Sequence, residues 1–254
     1  MEPALPPDFL RLPIAHRGLH GPGAVENSQA AFLAAVEAGY AIECDVQLTR
    51  DGRAVVFHDE TLDRLTDEVG PVRDRTADEL GRIALRGGPR IPTLEAVLEL
   101  VAGRVPLLVE VKDQDGAMGV NVGPLERAVA RALAEYAGPV AAMSFNPHSV
   151  IALRTLLPAA PRGLVTSAYR AEDWPELPAA VRDRLRGIPD YDAAGAVFVS
   201  HEATDLDRPR IQELRAEGAA ILCWTIRSPE AEASARRRAD NVTFECYRPS
   251  IGER

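Results

Sequence analysis

Ala41-Ile42-Glu43-Cys44-Asp45-Val46-Gln47-Leu48-Thr49-Arg50-Asp51-Gly52-Arg53-Ala54-Val55-Val56-Phe57-His58 is the stretch that decides the fold. Two apolar runs, Ala41–Leu48 and residues 54–58, flank Thr49-Arg50-Asp51-Gly52, which reads as a tight turn. A tight turn returns the second run antiparallel to the first. The second run is therefore an appended β-hairpin over residues 46–58 and does not count among parallel strands. Outward from it, strand-like runs at residues 12–16, 105–111, 140–145, 162–167, 196–201, 220–226 and 242–245 alternate with amphipathic stretches. The latter include residues 28–38, 93–101, 123–136, 147–156, 208–217 and 229–239. Alternation of this kind predicts a parallel sheet with crossover helices. With Ala41–Leu48 the strands number eight, which closes a (β/α)8 TIM barrel.

The 254 residues suit one such domain, spanning 1–254. Residues 60–90 read as a small insertion after the second barrel strand, with a short helix around residues 76–82. Residues 169–194, rich in proline and charge, leave room for a short helix and a mobile lid.

Composition excludes several partners. The net charge of −9 argues against nucleic acid and against an anionic membrane surface, since both reward clustered positive charge. No apolar run approaches the roughly 18 residues needed to span a bilayer, so stable membrane insertion is not expected. The start, Met1-Glu2-Pro3-Ala4-Leu5-Pro6-Pro7, lacks a basic segment followed by an apolar one, which predicts a cytoplasmic protein without a secretory signal. Cys44, Cys223 and Cys246 each sit in a strand-like segment and read as buried free thiols.

Chemistry collects at the strand ends. Side chains two apart on a strand share a face, so Glu43 and Asp45 project together and Cys44 points away. Glu110 and Lys112 are paired in the same manner. Charged groups inside apolar strands are costly unless they are paired or bind a metal. Three carboxylates at barrel strand ends suit one hard divalent cation, Mg2+ or Ca2+. The plainer alternative is a buried ion pair with Lys112, but three acids and one base leave negative charge uncompensated. Lys112 is also the single lysine among 29 basic residues, an exception that chance or a need for a compact point charge would explain.

His16 and His58 each end an apolar run, which puts them at the rim where barrel active sites lie. Two imidazoles there divide acid and base roles near neutral pH; hydrogen-bonded structural histidines are the alternative. Arg17 offers a guanidinium for a phosphate oxygen or for an ordinary salt bridge. Glu26-Asn27-Ser28 opens the first helix, either as a simple cap or as a helix N-terminus at the barrel top that faces an anion. His20, His148 and His201 are less committed, with His201 a structural or substrate-contacting residue.

His16-Arg17-Gly18, Glu26-Asn27-Ser28, Glu43-Cys44-Asp45-Val46, Thr49-Arg50-Asp51-Gly52, Val55-Val56-Phe57-His58-Asp59 and Thr61-Leu62-Asp63-Arg64 form an ordered set. It continues through Ile91-Pro92-Thr93-Leu94-Glu95, Glu110-Val111-Lys112, Ser144-Phe145 and Trp224-Thr225. From about Ile14 to Pro249 the chain resembles the glycerophosphodiester phosphodiesterases, within the phosphatidylinositol-phospholipase-C-like phosphodiesterases. The resemblance implies a TIM barrel that hydrolyses glycerophosphodiesters, small-molecule substrates, to glycerol 3-phosphate and an alcohol. It implies His16 and His58 as acid and base, Glu43, Asp45 and Glu110 as metal ligands, and Arg17, Lys112 and Trp224 as substrate contacts. The chain departs from the family pattern at Ser28, at Arg227 where asparagine is usual, and at Thr243-Phe244-Glu245-Cys246-Tyr247-Arg248-Pro249 in place of Thr-Asp-Arg-Pro. Two other functions compete: a lysophospholipase D-type activity, which needs an apolar trough for an acyl chain, and a non-catalytic phosphoester-binding barrel.

Overall fold

The computed structural model describes residues 3–252. In chain order the elements are α1 (Asp8–Arg11), β1 (Ile14–Ala15), α2 (Gln29–Ala38), β2 (Ala41–Leu48), β3 (Ala54–Val56), α3 (Ala77–Leu80), α4 (Leu94–Val101), β4 (Leu107–Val111) and α5 (Pro124–Leu133). They continue with β5 (Val140–Ser144), α6 (Pro147–Leu156), β6 (Arg162–Thr166), α7 (Ala179–Arg186), β7 (Phe198–Glu202), α8 (Pro209–Ala216), β8 (Ala220–Ile226), α9 (Pro229–Ala235) and β9 (Asn241–Phe244). The strands β1, β2 and β4 to β9 are parallel, and pairing of β1 with both β2 and β9 closes the (β/α)8 barrel. The strand β3 runs antiparallel to β2, with Val46 opposite Val56 and Leu48 opposite Ala54. Gly52, at φ +75°, supplies the left-handed residue of that turn, and its N–H donates to Thr49 O at 3.0 Å. The predicted hairpin is therefore present.

Several helices start where the sequence caps them. Ser28, Thr93, Asn146 and Ser228 accept hydrogen bonds from Ala31 N, Ala96 N, His148 N and Ala231 N, so the capping reading of Ser28 holds. The strand expected over 12–16 shrinks to Ile14–Ala15. Pro13 has no N–H to donate, and the chain leaves extended geometry at Arg17, φ +54°. The helix α1 was not anticipated, because four residues are too few to show a period. It covers the far end of the barrel, where Asn241 Nδ2 donates to Phe9 O and Leu12 O at 2.7 and 2.6 Å.

Strand alternation divides the core into two layers. Ile14, Ala41, Leu108, Ala141, Val165, Phe198 and Leu222 fill the barrel interior, while Ile42, Cys44, Val109, Val199 and Val242 face the helices. Gly163 makes room for Phe198, whose ring would lie 2.3 Å from a Cβ at that position. Going up β2 from Ala41, the next two inward residues are Glu43 and Asp45, so the interior changes from apolar to charged within one strand.

Residues 60–90 form more than a polar excursion. Leu62, Val72, Leu80 and Leu85, joined by Ile91 just after the segment, bury themselves on Val55 and Phe57 of the hairpin. Thr76 and Glu79 form a capping box on α3. The segment after β6 holds α7 and rests on Met118, Tyr169, Leu177 and Leu185. Cys44 and Cys223 are buried free thiols as expected, but Cys246 is exposed. It lies beyond β9, where a positive φ of +67° turns the chain out of the sheet. Among the described residues no helix is long and apolar enough to cross a membrane.

Candidate active site

The C-terminal ends of the strands surround a cavity of about 190 Å³ lined by His16, Arg17, Glu43, Asp45, His58, Glu110, Lys112 and Trp224. These are the side chains singled out in the sequence, and the fold brings all of them together. Parallel register sets Asp45 of β2 against Glu110 of β4, and Lys112 follows just past the end of β4. The ligand oxygens of Glu43, Asp45 and Glu110 lie within 4.8 Å of one another.

Lys112 Nζ sits 2.7 Å from Asp45 Oδ1 and 2.6 Å from Glu110 Oε1. Burial alone would lower the lysine, but Asp45 and Glu110 hold it above its ordinary range. Burial alone would raise Asp45, but Lys112 and Arg17 hold it well below the carboxylate range. Glu43 is the exception. Burial, then Asp45 and Glu110, push its carboxyl well up, and its Oε1 has no hydrogen-bond partner.

Arg17 explains the local backbone. A Cβ at Gly18 would stand 2.8 Å from the Ala31 carbonyl carbon, so only glycine lets the loop fold against α2. That turn aims Arg17 N–H at Glu43 Oε2, 2.9 Å away. Its guanidinium reaches Glu26 Oε1 at 2.7 Å and Asp45 Oδ2 at 3.3 Å. Asn27, at φ +56°, donates from Nδ2 to Asp45 Oδ2 at 2.8 Å. Glu26 in turn accepts from Arg64, which also binds Asp59. This connected network holds five carboxylates (Glu26, Glu43, Asp45, Asp59, Glu110) against three permanent cations (Arg17, Arg64, Lys112), which leaves two negative charges when all five are ionised, or one when Glu43 keeps a proton. One divalent cation among the three oxygen donors would balance that charge, occupy the orphaned Glu43 oxygen and remove the need for a proton there. The donor set fits a hard cation.

Both imidazoles are backed by carboxylates. His16 Nδ1 lies 2.6 Å from Glu245 Oε2, and His58 Nδ1 lies 2.7 Å from Asp59 Oδ1. The hydrogen bond with His16, and the His20 imidazole 3.7 Å away, hold Glu245 well below the usual carboxylate range. Burial would raise Asp59, but His58 and Arg64 outweigh it and hold it low. Ionised carboxylates only accept, so Nδ1 donates in both pairs and Nε2 is the atom left for the cavity. Burial lowers the His16 imidazole below 6.5, against the raising influence of Glu245. Each backing carboxylate is gripped by an arginine: Arg227 Nε on Glu245 Oε1 at 2.7 Å, Arg64 Nε on Asp59 Oδ2 at 2.6 Å.

A second cavity of about 570 Å³ adjoins the first at His58, Glu110, Lys112, Phe145 and Trp224. Both tryptophans of the chain, Trp174 and Trp224, line it with Phe145, Met118 and Leu177. Phe145 packs between them, its ring centroid 5.1 Å from Trp174 and 5.6 Å from Trp224. His201 does not reach either cavity. It is buried on the helix side of β7, bonded to Thr166 Oγ1 at 2.7 Å and to Asp205 Oδ2 at 3.2 Å. Glu245, Asp59, Glu26, Asn27 and Arg64 were not recognised from sequence as parts of the site. Asp59 adjoins His58 and could have been found; Glu245 stands 229 residues from His16 and gave no local signal.

Comparison with known proteins places the site in context. Residues 16–243 match the glycerophosphoryl diester phosphodiesterase family. YhdW of Bacillus subtilis (strain 168) is 33% identical over 230 residues, covering 87% of this chain and 88% of the relative. The glycerophosphodiester phosphodiesterase of Caldanaerobacter subterraneus subsp. tengcongensis is 38% identical over 173 residues, covering 64% of this chain and 70% of its own. In fold the chain is similar to an Oleispira antarctica phosphodiesterase solved in complex with the product sn-glycerol-3-phosphate, at a TM-score of 0.77 and 24% identity over 94% of this chain and 95% of that one.

Proposed function

The chain belongs to the glycerophosphoryl diester phosphodiesterase family and is a phosphoric diester hydrolase, and from that premise we propose that it cleaves glycerophosphodiesters to glycerol 3-phosphate and an alcohol using one divalent cation and two histidines. The observation that carries this reading is the residual charge of the acid cluster, with an orphaned Glu43 oxygen, beside two carboxylate-backed imidazoles.

Glu43, Asp45 and Glu110 would hold the cation, Mg2+ or Ca2+. When bound, it supplies stabilisation of the charge that grows on the non-bridging phosphate oxygens. Lys112 spends two ammonium hydrogens on Asp45 and Glu110 and keeps a third for a phosphate oxygen. Arg17 contributes a second positive contact, and the Trp224 ring walls the substrate on one side. At His16 and His58 the Nε2 atoms do the proton work. One takes the proton of the attacking oxygen, and the other gives a proton to the leaving alkoxide. The attacker is water or the neighbouring glycerol hydroxyl, the latter passing through a cyclic phosphate.

The test is release of glycerol 3-phosphate from a panel of glycerophosphodiesters, with and without chelator. Release that stops with chelator and returns with Mg2+ or Ca2+ is expected. Unchanged turnover in excess chelator, or in Glu43→Gln, would sink the metal assignment. A second reading is favoured by the aromatic trough: a lysophospholipase D-type activity with an acyl chain against Phe145, Trp174 and Leu177. Faster turnover of lysophospholipids than of the deacylated diesters in the same panel would select it.

A further inference from the structure

The catalytic cavity contains two buried hydroxyls that nothing in the protein uses. Ser200 on β7 is 1% exposed and Thr243 on β9 is 2% exposed. Both line the cavity, and neither Ser200 Oγ nor Thr243 Oγ1 has a hydrogen-bond partner. Buried hydroxyls elsewhere near these strand ends are satisfied: Ser144 Oγ donates to Val111 O at 2.6 Å, and Thr166 Oγ1 pairs with His201 Nδ1 at 2.7 Å. A buried polar atom left without a partner costs about 1–3 kcal/mol, so a coincident pair lining one cavity is met by whatever fills it, water in the free protein and the polar groups of a ligand when one binds. Barrel interiors are ordinarily filled by branched apolar residues. Met143 and Val165 keep the filling apolar beside these two positions, and Ser200 and Thr243 break it.

The ligand's chemistry follows from what the hydroxyls can do. Lys112 and Arg17 offer charge and only donate, which suits phosphate oxygens. A serine or threonine hydroxyl both donates and accepts, which suits another neutral hydroxyl. We propose that Ser200 and Thr243 form a polyol subsite that binds the free hydroxyls of the glycerol arm and makes the enzyme discriminate glycerol diesters from diesters without those hydroxyls. This rests on the hydrolytic reading above and adds which arm of the substrate enters the small cavity. The other ester arm then lies toward the larger trough.

The experiment compares wild type, Ser200→Ala, Thr243→Val and Thr243→Ser on glycerol p-nitrophenyl phosphodiester and propyl p-nitrophenyl phosphodiester, which share a leaving group. Losing one neutral hydrogen bond is worth roughly 2- to 15-fold. The first two variants should lose about that factor in kcat/KM for the glycerol diester while the propyl diester stays within about twofold; a propyl diester that wild type does not turn over at all marks the glycerol hydroxyl as attacker, and the same ratio is then read from the calorimetric binding below. Thr243→Ser, which keeps the hydroxyl, should retain the wild-type preference. Equal losses on both diesters, or an unchanged ratio in an active enzyme, overturn the subsite and leave the hydrolase reading standing. Calorimetric binding of sn-glycerol 3-phosphate against propyl phosphate separates the two ideas from the other side. A protein without turnover whose selective glycerol 3-phosphate binding still falls in the two variants supports the subsite and removes the catalytic reading. A protein that binds both phosphates alike overturns the subsite.

Discussion

The two imidazoles of the site have the same chemistry and opposite construction. His58, Asp59 and Arg64 come from one short stretch beyond the hairpin, and their arm continues through Glu26 and Arg17 to Asp45 in the acid cluster. His16, Glu245 and Arg227 come from opposite ends of the chain and meet only because β1 pairs with β9 at the barrel seam, where His16 N donates to Phe244 O at 2.9 Å. The His16 side chain is 15% exposed and that of His58 is 32% exposed. The seam arm thus buys burial of its imidazole through tertiary closure, whereas the hairpin arm gains coupling to the metal-ligand candidates through a continuous ion-pair chain. The comparison teaches that two carboxylate-backed imidazoles of one cavity need not share a structural origin, and that their failure modes should differ.

The largest expected effect tests whether both arms are catalytic. His16→Ala and His58→Ala should each lower kcat by about 10²- to 10⁴-fold, measured as glycerol 3-phosphate release under saturating metal. Near-normal turnover in either variant removes that arm from the chemistry and dissolves the symmetry. Next come the backing carboxylates. Glu245→Gln and Asp59→Asn keep shape but lose the charge that fixes the Nδ1–H tautomer. Each should cost at least about 10-fold in kcat, between the roughly 10- to 100-fold of losing the carboxylate behind a metal-bound histidine and the roughly 10⁴-fold of losing it behind a triad histidine.

The pH profile separates the arms where rates alone do not. Burial lowers His16 below 6.5, so its neutral form survives to lower pH than that of a free imidazole. If His16 is the base, the acid limb of kcat/KM should fall below pH 6.5. Glu245 raises His16, so its loss lowers the imidazole further and should move that limb to still lower pH in Glu245→Gln. Asp59→Asn should leave it in place. A limb that shifts with Asp59→Asn and ignores Glu245→Gln exchanges the roles of the two histidines.

The same contrast explains how much was legible in the sequence. The turn Thr49-Arg50-Asp51-Gly52 distinguished the antiparallel strand from the barrel strands, because hairpin chemistry is local. Period-two spacing put Glu43 with Asp45 and set Cys44 apart, because alternation is also local. All the residues proposed for metal, acid–base and substrate roles therefore share one cavity. The partners that set their electrostatics were not legible in the same manner. Asn27 read as part of a helix start, yet its amide holds Asp45. Glu245 and Arg227 registered only as two separate departures from the family pattern, although they form one ion pair. Ser200 and Thr243 look like ordinary strand residues until closure of the barrel turns them into its cavity.

The smallest effects should come from the two arginines, and their order tests whether coupling or mere proximity matters. Arg64 and Arg227 are both substantially exposed, at 47% and 62%, so water and salt screen each of them. Removing Arg64 nevertheless releases two carboxylates, Asp59 and Glu26, and through Glu26 disturbs Arg17 beside Asp45. Arg64→Gln should lower kcat by about 3- to 10-fold, since charged hydrogen bonds to partly buried groups are worth somewhat more than surface pairs. Arg227→Gln leaves Glu245 ionised, still bonded to His16, and open to water on the side the arginine leaves. Its cost should stay below about threefold, and 0.5 M salt should erase most of the difference from wild type. A loss in Arg227→Gln as large as that in Glu245→Gln, and insensitive to salt, would mean that the seam arm depends on its outermost residue. The arginine would then have to be counted as a positioning residue for His16, and the seam arm would be as tightly coupled as the hairpin arm.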